Sequence, residues 1–254
     1  MHDIHDLLVR FHIGFGAVAL VLFWVPVAAR KGSRLHVAAG RWYTVVMYAV
    51  CATAFVASIM VLVEPLAIRR PGRTFEPGEA ESLAQFFRMF SLFLLMLSVL
   101  VFVSIRHGLA ALRERRDPGQ LSSASHRGSI VVLALLAAVV AVIGTLNGQI
   151  LLIVFGGIGF AGSIGMYRES RLRNPRPPQL VVAHLSGLIG SGIGAYTAFF
   201  AFGGSRLLGE ILTGQWQVIP WILPSIIGTF AISRLARRYD PARRKPRPAG
   251  SESA

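Results

Sequence analysis

The chain has 254 residues, of which 54% are hydrophobic and only 15% are charged. A water-soluble domain carries roughly 25% charged residues, so this composition excludes an ordinary soluble globular protein. The single cysteine, Cys51, lies in an apolar stretch and excludes both a disulfide framework and a metal site built from several cysteines. The mean hydropathy of +0.58 instead indicates a protein that lies in lipid.

Seven apolar stretches along the chain are long enough to form transmembrane helices, each of which needs about 20 mostly apolar residues. They comprise residues 8–29, 42–63, 86–105, 129–146, 150–166, 180–202 and 218–235. The fourth and fifth come from one uncharged run that Asn147-Gly148-Gln149 divides, and this tripeptide favours a tight turn between antiparallel helices. The sequence therefore predicts an all-α, polytopic transmembrane bundle of seven spans in residues 1–239. A disordered, basic tail is predicted for residues 240–254.

Lysine and arginine are distributed unevenly among the connections between these stretches. The formal net charge is +14, from 26 Lys and Arg against 12 Asp and Glu. Most of the 26 follow the first, third, fifth and seventh stretches. Because positively charged segments resist translocation, this pattern predicts an outside N-terminus and a cytoplasmic C-terminus. It also explains the basic charge without a nucleic-acid partner, since arginines beside the membrane are attracted to anionic lipid headgroups of the bilayer.

Small residues recur at spacings of three or four in the fifth and sixth stretches. The fifth contains Gly156, Gly159 and Gly162, and the sixth contains Gly187 and Gly190. Such spacing lets helix backbones approach closely inside a membrane, where lipid provides no hydrophobic force to bring helices together. We therefore expect these two helices to pack against each other at the centre of the bundle.

Histidines are the main candidates for chemistry within the predicted spans. No Asp, Glu or Lys lies inside a span away from its ends, which argues against a pump that uses buried carboxylates. His12 is predicted about one turn into the first span from the outer face. Four other histidines, His36, His107, His126 and His184, fall towards the inner face at the ends of four different spans. We expect these four imidazoles to converge.

The chemistry of imidazole makes these five histidines candidate ligands. One ring nitrogen can bind a transition metal or haem iron while a neighbouring group holds the other. Two such rings on facing helices suffice for a b-type haem. On this basis His12, His107 and His184 are candidate cofactor ligands, and His36 and His126 are candidate ligands of a metal ion. The alternative is that these histidines lie beside arginines or lipid headgroups without a special role.

The segments around the histidines resemble a known family. They are His12-Ile-Gly-Phe-Gly, Leu35-His36-Val-Ala-Ala-Gly-Arg-Trp-Tyr43, Arg106-His107-Gly-Leu-Ala-Ala-Leu, Ser125-His126-Arg127, Ala183-His184-Leu-Ser-Gly and Trp221-Ile-Leu-Pro-Ser-Ile-Ile-Gly228. They are similar to landmarks of the bacterial predicted membrane proteins grouped as domain of unknown function 2306. The resemblance implies a polytopic helical bundle in a bacterial inner membrane and draws attention to the recurring histidines. It implies no particular activity.

Three functions remain open on the sequence. The first is a small membrane redox or metal protein in which histidines hold haem b or a transition-metal ion. The second is a carrier or permease for a small solute that passes between the glycine-rich fifth and sixth spans. The third is a non-catalytic membrane subunit or assembly factor whose arginine-rich inner surface docks a membrane or cytoplasmic partner protein. No Ser-His-Asp grouping or metallopeptidase spacing indicates a hydrolase.

Overall fold

The computed structural model describes residues 1–200 and 219–240, and within these ranges every regular element is a helix. In chain order the helices are α1 (His2–Ala28), α2 (Arg34–Val63), α3 (Pro65–Arg69), α4 (Glu79–Glu114), α5 (Ala124–Leu146), α6 (Ile150–Ser170), α7 (Pro177–Ala198) and α8 (Ile219–Tyr239). The predicted all-α class is confirmed over the described residues.

Six of the described helices, α1, α2, α4, α5, α6 and α7, are long and apolar enough to cross a membrane. Their surfaces expose many large apolar side chains, including Trp24, Leu135 and Phe160. Such surfaces are rare on soluble monomers but are normal for helices in contact with lipid. The fold is that of a multi-pass membrane protein. Helix α8 overlaps the seventh predicted span but is not among the six, so a seventh crossing and the side of each terminus remain predictions.

The connections agree only in part with the sequence predictions. The turn between the fourth and fifth spans is confirmed, because α5 ends at Leu146 and α6 begins at Ile150. Gly148 between them has a φ of 63°, a left-handed conformation that glycine adopts without a steric penalty. Prolines predict a loop for residues 64–81, whereas the structure has the short helix α3 at its start and begins α4 at Glu79.

Several helices also extend beyond the apolar stretches that predict them. Helix α2 begins at Arg34 rather than at residue 42, because Ser33 caps its N-terminus by accepting a hydrogen bond from the backbone N–H of His36 at 3.2 Å. Hydropathy identifies the part of a helix that lies in lipid, whereas capping groups and turn residues decide where the helix begins.

Helix α4 lies at the centre of the packing and contacts α2, α5, α6 and α7. On one side, α1, α2, α4 and α7 enclose a cluster around Tyr43, Met47 and Ile105. On the other side, α4, α5 and α6 enclose a second cluster that includes Phe93 and Phe155. The described helices thus form two groups that share α4.

The glycine-rich helices α6 and α7 approach different neighbours. A Cβ added to Gly156 of α6 would lie 2.9 Å from the carbonyl oxygen of Ala137 in α5. A Cβ added to Gly187 of α7 would lie 2.5 Å from the carbonyl oxygen of Ser104 in α4. The expectation that these two helices form the tight centre together is therefore wrong. Small-residue spacing identifies a helix suited to close packing, but it does not specify which helix it meets.

Helix α8 packs along α7 and against the second cluster. The ring of Trp221 lies 6.5 Å from that of Phe93 and 6.1 Å from that of Phe155, measured between centroids. After its last turn, the buried carboxylate of Asp240 lies 3.4 Å from Nη2 of Arg176. Asp240 is the first residue of the predicted tail, and the remainder of that tail, residues 241–254, lies outside the described residues.

Candidate functional site

Four of the candidate histidines lie at one end of the helices, which we call the arginine-rich end. Three connections meet there, at residues 29–33, 115–123 and 171–176. His36 and His126 are in the first turns of α2 and α5, and His184 is in the second turn of α7. His107 lies about two turns before the end of α4. The contacts described below join these positions.

His12 lies apart from the other four. Along α1 it is about 21 Å from Pro26, at ~1.5 Å per residue. Its Nδ1 lies 3.1 Å from the carbonyl oxygen of Val50 and 3.2 Å from Oγ1 of Thr53. His12, the candidate ligand predicted near the outer face, therefore joins α1 to α2 far from the arginine-rich end.

His107 and His126 form a buried row with Glu169. Nδ1 of His107 lies 3.0 Å from Nε2 of His126, and the two rings are stacked with centroids 5.2 Å apart. Nε2 of His107 lies 2.8 Å from Oε2 of Glu169, in the last turn of α6. Beside this row, Arg127 donates to the carbonyl oxygen of Ser170 at 2.7 Å. The row joins α4, α5 and α6.

For an ionised Glu169 and a neutral His107, the hydrogen bonds of this row assign one proton to each imidazole. An ionised Glu169 can only accept, so Nε2 of His107 carries the donated proton. In a neutral His107 the Nδ1 atom is then the acceptor, and Nε2 of His126 is the donor. A neutral His126 is left with a bare lone pair on Nδ1. That atom is buried and has no hydrogen-bond partner among the described residues.

Sequence reasoning missed Glu169. It lies just beyond the fifth predicted span, between Arg168 and Ser170, where a carboxylate is normally solvated. Its side chain is 32% exposed, yet one oxygen reaches the imidazole of His107, which is 2% exposed. The only sequence signal is a lone acidic residue beside arginines at a helix end, and this signal does not identify its partner.

His36 and His184 are held in the same way. Nδ1 of His36 lies 3.0 Å from the carbonyl oxygen of Pro26, near the end of α1. Nδ1 of His184 lies 3.1 Å from the carbonyl oxygen of Gly108 in α4. Since a carbonyl oxygen only accepts, each Nδ1 carries a proton. Both Nε2 atoms have no hydrogen-bond partner among residues 1–200 and 219–240.

The ammonium of Lys31 lies beside the same carbonyl as His36. Its Nζ donates to the carbonyl oxygens of Pro26 at 2.8 Å and of Val27 at 2.6 Å. Desolvation against the end of α1 lowers the pKa of Lys31. The last carbonyls of α1 thus have side-chain donors, which a helix C-terminus otherwise lacks.

His36 and His184 occupy equivalent positions in α2 and α7, two turns before a contact between these helices. Two turns further along each helix, the hydroxyl of Tyr43 lies 2.9 Å from that of Ser191. Residues two turns apart lie on one face of a helix, so both histidines occupy the faces that this contact brings together.

The pair His107 and His126 differs from the pair His36 and His184 in the ring nitrogens that are available to a metal ion. Within the described part of the chain, no group of three or more His, Cys, Asp or Glu is arranged to hold a metal ion. Both nitrogens of His107 and one of His126 already have protein partners. In contrast, His36 and His184 combine an anchored Nδ1 with an available Nε2, which is the arrangement of metal-binding histidines. Two imidazoles also suffice for axial ligation of haem iron.

Comparisons with protein-family models, with curated proteins and with solved structures find no match to this chain. The resemblance to domain of unknown function 2306 is therefore carried only by the sequence segments around the histidines.

Proposed function

We propose that this protein is a membrane redox or metal-binding protein that holds a transition-metal centre, either the iron of a b-type haem or a single ion, between His36 and His184. The observation that carries the proposal is the anchoring of both Nδ1 atoms on backbone carbonyls, which leaves the Nε2 lone pairs of His36 in α2 and of His184 in α7 without a partner among the described residues. The pair replaces His107 and His184 as the favoured inner ligands, because His107 uses both ring nitrogens within the protein.

The protein would control such a centre through the second nitrogen of each ring. A hydrogen bond from Nδ1–H fixes the tautomer and the ring orientation and raises the basicity of Nε2. A bound haem iron or copper ion would supply one-electron transfer. Gly40 follows His36 by one turn on the same face of α2, and a Cβ there would meet no atom of the described residues within 4 Å. This open space beside the imidazole favours room for a bulky ligand.

We further infer that α8 is a seventh crossing and that the arginine-rich end faces the cytoplasm of a bacterial inner membrane. Helix α8 has 21 residues, about 31 Å, which matches the ~30 Å thickness of a hydrocarbon core. Its last turn carries Arg237 and Arg238 and leads to Asp240 beside Arg176. The start of α1 lies at the opposite end, where His2 contacts the carbonyl oxygen of Ile68. These positions favour an odd number of crossings.

Among the described residues, no specific contact supports the other two functions, a carrier or an assembly factor. A carrier would need a path between the fifth and sixth spans, but Gly156 and Gly187 bring α6 and α7 against α5 and α4 instead. The hydroxyl of Tyr196 in α7, which could line such a path, instead donates to the carbonyl oxygen of Leu20 and accepts from Trp24. An assembly role would use the exposed arginines, whose contacts identify no partner.

The test is the metal and haem content of the full-length protein purified in a mild detergent. We expect an absorption band of haem or a stoichiometric transition metal. We expect His36→Ala and His184→Ala each to lower its occupancy by at least ~10-fold, since each removes one of two ligands. The control is His2→Ala, at the other end of the molecule. Wild-type protein without metal or haem, or an equal loss in His2→Ala, would overturn the proposal.

A further inference from the structure

A polar pocket opens at the arginine-rich end between α2, α4 and the connection before α5. Its volume is about 150 Å³, and its polar lining comprises Tyr48, Arg106, Arg113, Gln120, Ser123 and His126. One water molecule needs roughly 10–15 Å³ of such space, so the pocket has room for a small polyatomic ligand. It lies beside the row of Glu169, His107 and His126 and does not include His36 or His184.

The pocket carries positive charge. Arg106 and Arg113 are two turns apart and therefore lie on one face of α4. No Asp or Glu is among the lining residues. The nearby carboxylate of Glu114 accepts from the backbone N–H groups of Gly119 and Leu121. It thus holds the connection in place and does not line the pocket.

Two further charged groups beside the pocket, Asp117 and Arg106, have protein partners. Asp117 accepts a hydrogen bond from Gln120, and Arg106 donates from Nη2 to Oγ of Ser125. A guanidinium has five N–H donors, so Arg106 retains several for a ligand. No hydrogen bond or ion pair of the Arg113 guanidinium is found among the described residues.

The second, independent feature is His126. Its side chain is 1% exposed and lines the pocket, and its Nδ1 has no hydrogen-bond partner among the described groups. With an ionised Glu169 and a neutral His107, the row places the proton of His126 on Nε2, so that Nδ1 is an acceptor. A buried acceptor without a donor costs free energy unless a ligand supplies one.

We propose that this pocket binds a phosphate group that still carries a P–OH. The arginines attract its charged oxygens, and its hydroxyl donates to Nδ1 of His126. This combination fits inorganic phosphate or a monoanionic phosphate monoester. It disfavours sulfate and phosphodiesters, which have the charge but no hydroxyl to donate. The row of Glu169 and His107 acts as a positioning device that keeps Nδ1 of His126 an acceptor.

Binding is tested by calorimetry on the full-length protein in detergent at low salt and pH 7, with inorganic phosphate as the probe. We expect Arg106→Gln and Arg113→Gln each to weaken phosphate binding by roughly 10- to 100-fold, because each removes a charge-assisted hydrogen bond. The matched control is Arg116→Gln, an exposed arginine of the same connection that does not line the pocket. We expect the Arg116→Gln protein to bind phosphate with an affinity within about twofold of that of the wild type.

The role of His126 is tested by comparing phosphate with sulfate. At pH 7 inorganic phosphate keeps a P–OH, whereas sulfate has none. We expect the wild type to prefer phosphate by about tenfold or more, because sulfate would leave Nδ1 unsatisfied. His126→Phe should abolish this preference while the arginines still attract both anions. If this variant does not fold, the wild-type comparison alone decides the point.

The source of the phosphate is distinguished in bilayer nanodiscs. Phosphatidic acid, a monoester, should compete with inorganic phosphate if the ligand is a lipid headgroup, whereas phosphatidylglycerol, a diester, should not. Phosphate binding without competition from phosphatidic acid assigns a soluble ligand. The proposal is overturned if phosphate does not bind, if Arg116→Gln weakens binding as much as Arg113→Gln does, or if sulfate binds as well as phosphate.

Discussion

The hydroxyls of Tyr43 and Ser191 meet in the low-dielectric interior between α2 and α7. Ser191 donates to the carbonyl oxygen of Leu188 at 2.7 Å, so Tyr43 donates to Ser191. Both residues are buried, at 2% and 0% exposure, and water cannot replace the bond. This contact joins α2 to α7 two turns beyond His36 and His184.

Removal of this hydroxyl should therefore be measurable. We expect Tyr43→Phe to lower the free energy of unfolding by about 1 kcal/mol, the usual net contribution of one buried hydrogen bond, also within membranes. Thermal unfolding in detergent, in phosphate-free buffer, measures the effect. Tyr48→Phe in the same helix is the control, since no hydrogen bond of its hydroxyl is found among the described residues. A Tyr43→Phe protein as stable as the control would contradict this prediction.

At the scale of elements, α4 and α7 approach each other through their backbones. A Cβ on Gly187 would lie 2.5 Å from the carbonyl oxygen of Ser104 and 2.8 Å from the backbone nitrogen of Gly108. Neither backbone atom can rotate away, so α4 and α7 would have to separate. This contact also positions the carbonyl oxygen of Gly108 that holds His184.

Two glycines of α7 give a matched pair for testing this packing. We expect Gly187→Ala to destabilise the protein by about 1–3 kcal/mol, the usual cost of overpacking, and to lower occupancy of the His36–His184 centre. At Gly190, one turn away, a Cβ would meet nothing within 4 Å in the part of the chain that the structure describes. Gly190→Ala should leave thermal stability unchanged or slightly raised, because alanine favours helix. Equal effects of the two substitutions would show that α4 and α7 do not pack so closely.

At the scale of the whole molecule, the two ends differ in charge. The arginine-rich end carries the four clustered histidines, and the opposite end carries the start of α1 and the short α3. An odd number of crossings would place the two termini in different compartments, whereas an even number would place them in the same one.

Topology can be measured by reporter fusions in a bacterial host. We expect fusions within residues 115–123 and after residue 254 to be active as cytoplasmic reporters, and fusions before residue 2 or within residues 70–78 to be active only as periplasmic ones. The reason is the resistance of arginine-rich segments to translocation. Both termini in one compartment would contradict the seventh crossing. It would leave the six membrane-spanning helices α1, α2, α4, α5, α6 and α7 unaffected.

Local features of the sequence were enough to predict the long helices and several of their limits, but not the short helix α3. Apolar stretches identified the helices because lipid requires about 20 residues without charge. Gly148 marked the turn between α5 and α6 because its backbone needs a left-handed φ. The same features placed four histidines near one end, because each lies at the edge of an apolar stretch.

The pairing of those residues depends on contacts between helices that are distant in the chain. The sequence alone determined that the chain is helical and apolar enough to lie in lipid, since length and hydropathy are local properties. Only the tertiary structure decided that Gly187 meets α4, that Glu169 reaches His107, and that His36 and His184 each place Nδ1 on a backbone carbonyl oxygen. Every lipid-facing helix looks alike in hydropathy. Its neighbours are selected by side-chain shape and by a few buried hydrogen bonds, which exist only once the helices have packed.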